Sequence, residues 1–97
     1  MKLVYQHEKP TADVRGHLDQ AIPSLLERYS GRIKDPVFGW EQDTLRFSFT
    51  ALSMRFKGTA TNASQALTID MRLPLLARGF EPEIKARIMA KLDELLA

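Results

Sequence analysis

Between Val37 and Leu73 large apolar side chains recur at every second position. Phe38 and Trp40 come first, then Leu45, Phe47 and Phe49, then Met54 and Phe56, then Leu67, Ile69, Met71 and Leu73. A side-chain period of two places each set on one face of a strand. The alternate positions (Thr44, Arg46, Ser48, Arg55, Lys57, Thr59, Thr68, Asp70, Arg72) are polar. Four antiparallel strands with one dry face and one wet face follow. Turns are expected at Gln42-Asp43, at Ala51-Leu52 and across Asn62 to Gln65. In that register Trp40 faces Leu45, Phe38 faces Phe47, Phe49 faces Met54, and Phe47 faces Phe56. Phe38, Phe47, Phe56 and Met71 then form one row. Gly58 falls opposite Leu45, where a missing side chain leaves room for the Trp40 indole.

The flanks are simpler. Leu3 to His7 reads as an outlying strand ended by Lys9-Pro10, with Thr11 placed to cap a helix. Val14, Leu18, Ile22, Leu25 and Tyr29 then follow at spacings of three and four, one stripe of a helix stopped by Gly31. Pro23 cannot donate to the carbonyl of Asp19, which predicts a kink between the two. Arg32 to Pro36 reads as a polar connector, with the sheet starting at Val37. After Pro74, the segment Leu75 to Phe80 has no clean period. Pro82, with Glu81 and Glu83 beside it, suits the start of a second helix striped by Ile84, Ile88, Leu92 and Leu95. The order is β-α-β-β-β-β-α, an α+β fold in two layers, an antiparallel meander with both helices on one face.

Composition mainly excludes. Ninety-seven residues, 44% hydrophobic and 27% charged, suit one soluble domain spanning 1–97. There is no cysteine, which removes disulfides, thiol catalysis and Cys-based zinc sites and fits a cytoplasmic setting. The first nine residues turn polar too soon for a secretory signal, and no apolar run suffices for a transmembrane segment. A formal charge of +2 does not by itself point to nucleic acid. His7 and His17 have no partner ligand at helical spacing, and no phosphate loop, nucleophile elbow or metalloprotease motif occurs. No catalytic residue, cofactor or metal is assigned, and the chain is read as a non-enzyme.

Two surfaces are candidates for contact. Arg46, Arg55, Lys57 and Arg72 share the wet face, with Arg46 expected across from Lys57, Lys57 from Asp70, and Arg55 between Ser48 and Arg72. Opposed like charges are mildly destabilising, which an anionic partner or a homodimer would relieve. Charge that merely keeps a solvated sheet face soluble is the simpler account. Nucleic acid is disfavoured because no aromatics interleave with these cations. Leu75, Leu76 and Phe80 form the second candidate. They either plug the end of the core or make an exposed apolar lip.

The order of elements matches the topology of the TATA-binding-protein-like fold, of which helix-grip ligand binders are a larger version. The chain also resembles the small polyhydroxyalkanoic acid system protein family, whose genes lie near bacterial polyester synthesis and granule genes. The residues that carry the likeness are His7 on an early strand, Leu25-Leu26-Glu27-Arg28-Tyr29, and Trp40 before Asp43-Thr44-Leu45-Arg46-Phe47-Ser48. Leu67-Thr68-Ile69, Leu73-Pro74 and the helix from Ile84 to Leu95 complete it. The resemblance implies a bacterial accessory protein of a polyhydroxyalkanoate system that contacts a granule or a granule-associated protein. It carries no catalytic residues with it. The alternative is a helix-grip-like binder of a small apolar ligand between the sheet and the last helix. Against that, Phe38, Trp40, Phe47, Phe56, Met71 and Ile88 are expected to fill the space.

Overall fold

In a computed structural model, which describes residues 1–96, the alternating stretch forms one sheet with a fifth strand added. The elements are β1 (Lys2–Gln6), α1 (Thr11–Arg28), β2 (Ile33–Glu41), β3 (Thr44–Ala51), β4 (Met54–Ala63) and β5 (Ala66–Arg72). A 3₁₀ helix (Leu75–Phe80) then leads into α2 (Glu81–Leu96). The strands pair antiparallel in the order β1-β5-β4-β3-β2, so β2 to β5 make a meander and β1 closes on β5. Both helices cover the same face. Val14 and Leu18 of α1 share one buried cluster with Leu92 and Leu96 of α2 and with Leu3, Tyr5, Leu45, Ala60, Leu67 and Ile69 of the sheet. A second cluster, Phe56, Met71, Leu73 and Ala77, lies toward the other end of the strands. The core is therefore two clusters rather than one.

The hairpin of β2 and β3 has the expected register, with Phe38 opposite Phe47 and Trp40 opposite Leu45. The next hairpin is shifted by two residues. Its turn is Leu52-Ser53, both left-handed at φ 53° and 62°, and Ala51 pairs with Met54. Phe49 consequently faces Phe56, and Phe47 faces Gly58, which in turn faces Met71. A slip of two preserves which face each side chain occupies, so the dry face survives while every neighbour changes. Gly58 thus makes room for Phe47, not Trp40: a β-carbon there would sit 2.6 Å from Cζ of Phe47 and 2.8 Å from the carbonyl oxygen of Asp70. Phe38, Phe47, Phe49 and Phe56 form a stacked aromatic file with centroids 6.2, 6.4 and 5.2 Å apart.

Several boundaries also move. Pro10, not Thr11, is the residue before α1, and its carbonyl accepts from the N–H groups of Asp13 and Val14. The helix runs through Pro23 without a break and stops at Arg28, ahead of Gly31, which has no left-handed backbone. β2 starts at Ile33 rather than Val37 and absorbs the intervening residues as an irregularity between Lys34 and Val37, with Asp35 at φ 50°. β4 continues to Ala63, so Asn62 belongs to the strand and not to a turn. It is buried, and its amide donates to the carbonyl of Thr11 at 2.8 Å, tying the start of α1 to the sheet. No helix among the described residues is long and apolar enough to cross a membrane.

Candidate functional site

The two-residue shift pushes Leu52 out to the tip of the β3–β4 hairpin, where it is 86% exposed. Behind it the inward side chains of Phe49, Met54 and Phe56 form a floor. The 3₁₀ helix comes off β5 beside this tip. Its Ala77 turns into the second cluster, while Leu75 and Leu76 are 76% and 79% exposed and Phe80 is 58% exposed. Ile84 and Ile88 of α2 complete the opposite wall. The result is an open apolar groove of about 420 Å³ between sheet and α2. Leu52, Leu76 and Phe80 stand on its rim, with Glu83 and Arg87 its charged members. Leu75, Leu76 and Phe80 thus do not plug the core; they stand out from it. Of the side chains expected to fill the space between sheet and α2, Phe38, Trp40 and Phe47 pack against the first cluster, whereas Phe56, Met71 and Ile88 line the open groove. Leu52 escapes a sequence reading because it looks like a turn residue, and only its register reveals where it points.

On the wet face the structure brings Arg46, Arg55, Lys57 and Arg72 together, all exposed, but with other neighbours than the expected register gives. Arg46 lies opposite Thr59 and its Nε donates to Glu41 at 2.6 Å. Arg55 lies opposite Thr50 and donates to Ser48 Oγ at 2.7 Å, to Thr50 Oγ1 at 3.1 Å and to the Asp35 carbonyl at 3.1 Å. Lys57, between Ser48 and Arg72, is the one that opposes a like charge. Two of the four cations are therefore engaged by side chains of their own face.

At the other end of the strands the polar groups are knit into the fold. The indole N–H of Trp40 donates to Asp19 at 2.7 Å, and the Arg15 guanidinium lies 4.5 Å over the same ring. His7 accepts from the N–H of Lys9 through Nδ1 at 3.1 Å, while its buried Nε2 and the Oδ1 of Asn62 have no partner among the described residues. Burial, and secondarily the nearby Asp93 carboxylate, pushes the Tyr5 hydroxyl above its ordinary pKa. No group of His, Asp and Glu among the described residues is arranged to hold a metal ion. The arrangement that stands out chemically is the lip and its groove, where large apolar side chains are left exposed.

No curated protein and no solved structure is significantly similar to the chain. A family model described as "Putative polyhydroxyalkanoic acid system protein" matches residues 1–96. That match spans every element described above, the lip included, and the chain belongs to this polyhydroxyalkanoic acid system family.

Proposed function

We propose that the protein serves a polyhydroxyalkanoate system by attachment rather than catalysis, and that the lip of Leu52, Leu75, Leu76 and Phe80 lays it on the polyester granule. The observation behind this is the clustering of exposed apolar side chains around one groove. The other exposed large hydrophobics, Val4 and Val37, sit singly on the wet sheet face. Isolated exposed residues are ordinary, whereas a contiguous patch marks a contact surface. Leu52 strengthens the reading. A left-handed leucine carries strain of about 1 kcal/mol or more that Asn or Gly would avoid, and here it supports a side chain that the fold leaves in water. Neither exposure nor strain helps the chain fold.

The test is co-sedimentation with purified polyester particles. Leu75→Ser combined with Leu76→Ser should abolish most of the wild-type pelleting. Thermal unfolding should barely move, since exposed substitutions usually change stability by less than about 0.5 kcal/mol. Undiminished pelleting of the folded double variant would sink the reading. A second reading is favoured by the groove itself, which at about 420 Å³ is of ligand-binding size. A small apolar molecule held between sheet and α2 would appear as added mass in native mass spectrometry. A bare chain mass after purification without detergent would count against it.

A further inference from the structure

The two edge strands of the sheet differ in regularity. β2 pairs with an irregularity between Lys34 and Val37, whereas β1 pairs with β5 in unbroken register from Lys2 to Gln6. At the head of that ladder Met1 exchanges both bonds with Met71. Its ammonium donates to the Met71 carbonyl at 2.9 Å, and its carbonyl accepts from the Met71 N–H at 2.8 Å. At the foot, the N–H of His7 donates to the Gln65 carbonyl at 2.9 Å. Bonded and unbonded pairs alternate along an antiparallel ladder. The odd residues of β1 therefore bond inward to β5, and the N–H and C=O groups of Lys2, Val4 and Gln6 point outward, where no strand follows. No loop or helix backbone group among the described residues bonds to them. α2 covers β1 from the dry side, where Leu92 and Leu96 share a cluster with Leu3 and Tyr5, rather than from the rim.

Three outward residues spaced evenly about Val4 suit one partner in particular, the same strand turned by a twofold axis. Bonded antiparallel pairs need outward residues on both strands, so Lys2 meets Gln6, Val4 meets Val4 and Gln6 meets Lys2 of a second copy. That register uses every outward group, and a slip of two residues leaves some unmatched. We infer that β1 is a homodimerisation edge, at which two copies join their sheets antiparallel about Val4. Val4, exposed on the wet face, is then set against its own copy. Lys2, the one charged side chain of β1, falls across from Gln6 of the second copy, with Glu8 just beyond it. Lys2 and Glu8 are opposite in charge, and neither has an ion pair of its own among the described residues. The contact is isologous, so it closes with two copies. It does not use the lip, and the twofold carries the two lips to opposite ends of the joined sheet. Dimer and granule attachment therefore stand or fall separately.

The experiment is sedimentation of the purified chain across a range of concentrations, joined to disulfide trapping with introduced cysteines, which a chain without cysteine allows. The expected wild-type result is a monomer–dimer equilibrium. Val4→Pro removes both hydrogen bonds at the axis but spares the ladder to β5, since an edge strand accepts proline where its N–H faces outward. It should weaken dimerisation by about tenfold. Val4→Lys sets like charges against each other at the axis and should weaken it too; it also serves if the proline variant fails to fold. Bonded partners lie about 5.5 Å apart between α-carbons, within disulfide reach, so Val4→Cys should cross-link with itself on mild oxidation. The two copies of Lys2 are about 14 Å apart along the strands, at about 3.4 Å per residue. Lys2→Cys should therefore not cross-link alone, but should do so when mixed with Gln6→Cys. A monomer at every concentration overturns the inference, as does a dimer unchanged in the folded Val4→Pro and Val4→Lys variants. Self-cross-linking of Lys2→Cys in preference to Val4→Cys overturns the twofold at Val4.

Discussion

The two ends of the sheet solve the same problem differently. Where α1 starts, the sheet is sealed: Val14, Leu67 and Leu96 are almost wholly buried, Asn62 bonds to the start of the helix, and Trp40 is clasped by Asp19 and Arg15. Where β3 turns into β4, a smaller cluster is left half roofed, and four large apolar side chains stand in water. One sheet carries both because the helices lean on its sealed half, while the 3₁₀ helix roofs the other with one inward alanine. The difference teaches that the tightly buried core and the exposed apolar side chains are segregated here. Regions with few buried contacts are also those with the lowest local stability, so the lip end should open first.

Truncation sets the largest contrast. Leu67→Ala, at the sealed end, should cost about 2 to 5 kcal/mol, and Phe56→Ala at the edge of the groove about 3 to 5. Leu76→Ala should cost less than about 0.5 kcal/mol. Chemical denaturation ranks the three, and a Leu76→Ala penalty matching that of Leu67→Ala would erase the distinction between the ends. Gly58→Ala probes the seam between the clusters. Its β-carbon would collide with the Phe47 ring and with a backbone oxygen that cannot rotate away, for a loss of about 1 to 3 kcal/mol. A neutral result in the same denaturation series would show that the β3–β4 register is not the one described.

Smaller effects sharpen the picture. Asp19→Ala removes the indole's acceptor and should cost about 1 kcal/mol, with a shift in the emission of Trp40, the sole tryptophan. An unchanged emission spectrum would argue that the clasp is absent in solution. Leu52→Asn should run the other way, stabilising the hairpin by about 0.5 to 1 kcal/mol while weakening the proposed pelleting with polyester particles. A melting temperature that falls would mean that Leu52 supports the fold after all. The smallest effect concerns pH. Tyr5 titrates above its unfolded value of 10.0, so its contribution is complete below about pH 10 and is lost as pH rises through the higher folded value. Tyr5→Phe should flatten that alkaline decline in the melting temperature; an unaltered alkaline limb would leave Tyr5 without a part in it.

Much of this architecture is legible in the alternation of residues, and the rest is hidden for definable reasons. Period two reports which face a side chain occupies but is blind to a slip of two, and Leu52-Ser53 lacks the Asn-Gly chemistry that would mark a left-handed turn. The faces of Phe47, Phe56 and the four cations were therefore readable, but their neighbours were not. Leu75, Leu76 and Phe80 were noticeable because they fit no period. Their exposure follows from the 3₁₀ geometry, with Ala77 alone pointing inward, which no propensity encodes. Leu52 and the groove depend wholly on register.

The irregular start of β2 has one more consequence. This strand is an edge of the sheet, and its outer rim carries no neighbour. Pro36 supplies no N–H, and the break in pairing between Lys34 and Val37, with Asp35 in the left-handed region, bends the rim away from a straight template. At the opposite edge β1 spans only five residues. Proteins crowded side by side on a surface are at risk of zipping together through unpaired backbone into cross-β ribbons. Here a proline and a bulge blunt one edge and brevity limits the other, which disfavours edge-to-edge growth when copies of this chain are crowded together.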